Sequence, residues 1–92
     1  MLLPKEVELS AKMLLDENMP VLARQIEGGA LAECTLLNLG SNSIGDEGAK
    51  ALAAALPSMS KLEGLYLGGN SIGDEGEAAL KAKERDGLEI DM

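Results

Sequence analysis

Two acidic pairs, Asp46-Glu47 and Asp74-Glu75, are the first residues of this 92-residue chain to invite a chemical role. Paired carboxylates can serve as a general acid and base, or as ligands for calcium. A calcium loop needs oxygen ligands at alternate positions converging on one centre, and Ile44-Gly45 interrupts such an array. Adjacent residues at a helix start do not face one another, so an acid–base pair is poorly placed as well. Gly45, Gly48, Gly73 and Gly76 suggest a phosphate cradle, yet no Lys or Ser/Thr follows them in phosphate-loop order. Cys34, as a nucleophile, would need a neighbouring base, and the chain has no His. A lone Cys cannot form an internal disulfide, and without His there is little to hold a metal. These residues point away from an enzyme, a metal centre and a bound cofactor.

The acidic pairs recur because their surroundings recur. Asn42-Ser43-Ile44-Gly45-Asp46-Glu47-Gly48 returns unchanged, 28 residues on, as Asn70-Ser71-Ile72-Gly73-Asp74-Glu75-Gly76, and residues 37–52 and 65–80 agree at 12 of 16 positions. Such self-similarity marks a repeat architecture. Leu37 and Leu39 alternate with Asn38, and Leu65 and Leu67 with Tyr66, which suits short strands buried on one face. From Asp46 to Leu56 the pattern is helical. Asp46 is placed to cap that helix's own first amides, and Glu47 to complement its dipole. Ala51, Leu52, Ala55 and Leu56 form its apolar stripe, and Pro57 stops it.

Cys34-x-x-Leu37-x-Leu39-x-x-Asn42-x-Ile44 and Leu62-x-x-Leu65-x-Leu67-x-x-Asn70-x-Ile72 resemble the core motif of the leucine-rich repeat family. The 28-residue period with a full helix is similar to the ribonuclease-inhibitor-like subclass, found also in NOD-like receptors and Ran GTPase-activating proteins. The resemblance implies an α/β solenoid with a parallel sheet on the concave face and helices on the convex face. A degenerate first copy, offset by thirty residues, sets Val7 and Leu9 on Leu37 and Leu39, and Asp16-Glu17 on Asp46-Glu47; there Leu15 and Asn18 replace the two glycines. Matching Gly87-Leu88-Glu89-Ile90 to Gly64–Leu67 supplies a last strand. The expected layout is one domain over 1–92 with about three and a third repeats: 4–33, 34–61, 62–84 and a terminal strand at 87–92. Inward rows then run Val7, Leu37, Leu65, Leu88 and Leu9, Leu39, Leu67, Ile90. Asn42 and Asn70 are expected to donate to one coil's carbonyls and accept an amide from the next. Cys34 reads as a small buried hydrophobe, Met13 and Met19 as gap-fillers, and Met59 as a gap-filler or an exposed loop residue.

The informative surface is the outward row Glu8, Asn38, Tyr66 and Glu89, flanked by Glu6, Thr35, Leu36, Glu63, Ser41 and Asp91. Tyr66 is the only aromatic side chain, and the net charge is −8. An exposed Tyr among carboxylates suits an anchor for a basic or aromatic-accepting protein partner, the alternative being a solvated sheet face with an incidental Tyr, while the acidic balance argues against nucleic acid or an anionic membrane surface. No apolar run is long enough to span a bilayer, and Met1–Glu6 lacks the features of a secretory signal, so a cytoplasmic location is expected. The leading function is a non-catalytic protein–protein interaction module. One alternative is a fragment or protomer of a longer scaffold associating end to end, since neither end shows a polar capping coil. The other is a GTPase regulator, for which Arg24 and Arg85 are the only arginines.

Overall fold

The computed structural model describes residues 5–92, so Pro4, the expected start of the first repeat, lies outside the described residues. Short runs with one inward side chain make the strands β1 (Glu6–Glu8), β2 (Leu36–Asn38), β3 (Gly64–Tyr66) and β4 (Glu89–Asp91). Between them stand helices α1 (Met19–Glu27), α2 (Asp46–Ala55) and α3 (Asp74–Lys81). The strands form one parallel sheet in the order β1-β2-β3-β4. Three-residue strands cannot hold a sheet alone; each coil buries its apolar side chains only by stacking on its neighbours. Leu37, Leu39, Ile44, Leu52, Leu56, Leu65, Leu67 and Leu80 are all fully buried in an aliphatic core. Pro57 begins a new tight turn: α2 ends at Ala55, and Leu56–Ser58 continue as 3₁₀.

The register pairs Val7 with Leu37, Leu37 with Leu65, and Leu65 with Ile90. The last strand is therefore two residues out from the expected alignment: Ile90 takes the place assigned to Leu88, and Met92 stands level with Leu67. Gly87 misled the match to Gly64. Gly87 has φ +87°, a turn conformation, whereas Gly64 lies within a strand. The Leu88 amide bonds Arg85 O at 3.0 Å just as Leu62 bonds Met59 O and Cys34 bonds Leu31 O. Leu88 thus fills the first-leucine position, and a shorter link carries the chain from it to Ile90.

Asn42 and Asn70 reach back to the preceding coil, not forward. The Asn42 Oδ1 accepts the Lys12 and Leu14 amides at 2.9 and 3.0 Å, while its Nδ2 donates to Leu9 O and Leu39 O at 2.9 Å. Asn70 repeats this with the Ile44 amide, Leu39 O and Leu67 O. Each side chain satisfies backbone groups that the turn out of the sheet leaves open.

Asp46 corrects a second expectation. Gly45 is the cap residue of α2 and no side chain caps it. The Asp46 carboxylate instead reaches forward, accepting the Gly73 and Gly76 amides of the next coil at 2.7 and 2.9 Å. Asp16 does the same for the Gly45 amide at 2.5 Å. A Cβ on Gly76 would lie 2.8 Å from that Asp46 oxygen, and one on Gly48 would lie 2.5 Å from Asp16. Glycine is thus required here to seat the neighbouring carboxylate. In the first coil, Asn18 stands in the glycine's place and its own Oδ1 accepts the Leu15 amide at 2.8 Å.

Because α2 lies between two helices, Ala49 and Ala53 are buried alongside the expected stripe. Their counterparts on α3 are Glu77 and Lys81, joined in an ion pair of 2.8 Å. The outer side of α3 therefore has a polar cover, contrary to the expectation of bare ends. The opposite end is apolar: Leu9, Leu14, Val21 and Leu22 line a groove of about 340 Å³. Met19 and Met59 are fully buried, whereas Met13 is 84% exposed and fills no gap.

Candidate protein-binding face

Strand alternation that sends Val7, Leu37, Leu65 and Ile90 into the core turns their neighbours outward. Glu8 pairs with Asn38, Asn38 with Tyr66, and Tyr66 with Asp91. Asp91, expected only as a flank, thus completes the row. Glu89 stays on the same face but pairs with Gly64, in the row of Glu6 and Leu36. Glu63 is exposed just ahead of β3, its amide bonded to Thr35 O at 2.8 Å.

Polar groups on the β1–β2 side of this face are already engaged. The Asn38 Nδ2 donates to Glu8 at 3.0 Å, and its Oδ1 accepts the Gly40 amide at 3.0 Å. The Ser10 hydroxyl and amide both donate to Glu8. These Ser10 bonds, helped by Asn38, hold the Glu8 carboxyl below the ordinary glutamate pKa. On the β3–β4 side, Glu63, Glu89, Asp91 and the Tyr66 hydroxyl have no side-chain hydrogen bond or ion pair among the described residues.

Tyr66 is 39% exposed and does not stand upright. A Cβ on Gly64 would lie 3.6 Å from the phenol oxygen and 2.9 Å from Leu36 Cδ1. The phenol therefore leans back over Gly64, and Leu36 closes the space from the β2 side. Gly64 was the feature missed in the sequence; a glycine inside a strand signals that something approaches the backbone closely.

Of the remaining reactive residues, Cys34 and Arg85 are occupied structurally. Cys34 is buried, its thiol donates to Leu36 O at 3.1 Å, and burial pushes its pKa up, away from thiolate chemistry. Arg85 donates to Met59 O at 2.6 Å, tying the last return to the coil before it. Arg24 is exposed on α1, on the helix side. Among the described residues no group of three or more His, Cys, Asp or Glu converges as a metal site. No described helix is long and apolar enough to cross a membrane.

The stacked coils, their asparagine ladder and their parallel sheet agree with a family match: residues 35–53 and 58–81 fit a model described as leucine-rich repeat. Residues 35–81 are built of leucine-rich repeats. No curated protein and no solved structure matches the chain. Leucine-rich repeat domains are generally protein–protein interaction modules and typically non-catalytic. Among the described residues, the outward side chains of the four strands form the candidate surface for a partner.

Proposed function

We propose that this chain is a non-catalytic interaction module, one domain whose sheet face binds a protein partner of basic character. The observation that carries this reading is the half-exposed Tyr66 set among Glu8, Glu63, Glu89 and Asp91, with Asn38 beside it. An aromatic anchor inside a ring of charge favours association with a surface of opposite sign. The 28-residue step from β2 to β3 and the ten-residue α2 support a ribonuclease-inhibitor-like subclass. The lone, buried Cys34 fits a reducing, cytoplasmic setting. Nucleic acid and anionic membranes are disfavoured as partners by the net charge of −8.

Affinity capture on immobilised protein tests the reading. Tyr66→Ala and Glu63→Lys should each lose the partners retained by the unmodified chain, and Glu47→Lys, on the helix side, should keep them. Identical capture by all three variants would remove the sheet face from consideration.

A further inference from the structure

We infer that the sheet face carries a seat for a single arginine side chain of the partner, laid across the Tyr66 ring with its guanidinium directed to Glu89 and Asp91. This rests on the reading of the sheet face as the binding surface and names the group it recognises.

The asymmetry around Tyr66 sets the direction. On the β2 side the ring has Leu36 and Asn38 for neighbours. Leu36 is apolar, and the Asn38 amide is spent on Glu8 and the Gly40 amide. On the β4 side the register sets Glu89 beside Gly64, over which the phenol leans, and Asp91 beside Tyr66 itself. Adjacent strands lie about 4.8 Å apart, so Glu89 and Asp91 both stand one strand spacing from the β3 residues that carry the ring. Neither carboxylate has a side-chain partner among the described residues. A long cation crossing this face finds apolar ground for its methylenes at Leu36 and the ring, then negative charge beyond. The ring remains partly exposed, which leaves room for a cation against it.

Arginine fits better than lysine. Its planar guanidinium stacks on an aromatic face, sheds water more readily than an ammonium, and offers paired N–H donors to a carboxylate. Gly64 is part of the seat, because any side chain there would lift the phenol or displace Leu36.

The protein supplies its own probe, since Tyr66 is its only Tyr and it has no Trp or Phe. The experiment titrates a tyrosine-free lysine-rich peptide containing one arginine, and its all-lysine twin, at low and high salt. Tyr66 emission and the amide signals of Gly64 and Ile90 are followed. The arginine peptide should bind about two- to fivefold tighter. Tyr66→Phe should keep that preference, and Tyr66→Leu should erase it while leaving salt-sensitive binding of both peptides. Equal affinity for the two peptides, in the unmodified protein as in Tyr66→Leu, would overturn the arginine seat and leave the basic-partner reading standing. Binding of both peptides that is insensitive to salt and unchanged in an E89Q/D91N double variant would overturn both.

Discussion

On the helices and return loops four carboxylates meet cations: Lys50 contacts Glu47 and Glu75, Lys61 contacts Glu33, and Lys81 contacts Glu77. On the outer face of the sheet, Glu6, Glu8, Glu63, Glu89 and Asp91 have no cation partner among the described residues. The excess of sixteen acidic over eight basic residues is therefore unevenly expressed. Two of the helix-side pairs, Lys50–Glu75 and Lys61–Glu33, bridge successive coils, so charge there serves stacking. On the sheet, only the Glu8 charge is engaged within the molecule, by Ser10 and Asn38. The lesson is that net charge alone does not mark a candidate binding face; unpaired charge beside an exposed aromatic side chain does.

The largest effect should come from the core that both sides share. Leu65→Ala removes a fully buried side chain between two neighbouring coils and should lower stability by about 2–5 kcal/mol. An unchanged midpoint in urea unfolding would break the stacked register on which the contrast of faces depends.

Next in size is a contrast within the repeated heptapeptide. Asp46→Ala strands the Gly73 and Gly76 amides and should cost about 1–3 kcal/mol, with faster hydrogen exchange at both. Asp74→Ala removes the same residue type at the same repeat position but breaks no side-chain hydrogen bond among the described residues. It should stay within about 0.5 kcal/mol. Equal effects from the two would mean that Asp46 does not act between coils.

Tyr66→Ala should leave stability within about 0.5 kcal/mol while weakening partner binding, which separates the working face from the structural one. A large loss of stability would instead assign Tyr66 to the fold.

The smallest effects concern titration. Glu33 is held below its ordinary pKa of 4.5 by its hydrogen bond and attraction to Lys61. A depressed folded-state pKa gives stability that is present above the ordinary value and lost as pH falls through the lowered one. Lys61→Met should therefore flatten the acid limb of the stability curve below about 4.5. On the sheet, Ser10→Ala should return the Glu8 pKa toward 4.5 in a carboxylate titration by nuclear magnetic resonance. An unmoved Glu8 would show that Ser10 does not hold it.

Much of the architecture was legible because a solenoid writes itself more than once. Two near-identical copies placed Leu37, Leu39, Leu65, Leu67 and both asparagines without ambiguity, and an offset of thirty carried Val7 and Asp16 into register. What escaped depended on relations between coils. Asp46 looks like a cap for its own helix, since the local pattern cannot say which helix's amides a carboxylate meets. Glu77 and Lys81 reveal a cover for α3 only when set against Ala49 and Ala53. Leu88 was misplaced because a turn glycine and a strand glycine are the same letter. On the sheet face, Glu8, Asn38 and Tyr66 followed from alternation alone, while Asp91 waited on the last register and the Gly64 seat on the tilt of one ring.

The forward-reaching aspartates give the array a direction of growth. A duplicated 28-residue unit inserted behind α3 would bring glycine amides to Asp74, whose carboxylate is uncommitted among the described residues. The same unit inserted ahead of β1 would send its aspartate toward Leu15 and find Asn18 already in the seat. Tandem copying of this unit thus has a preferred side, because at α1 a single amide side chain takes the place that a neighbouring aspartate would need.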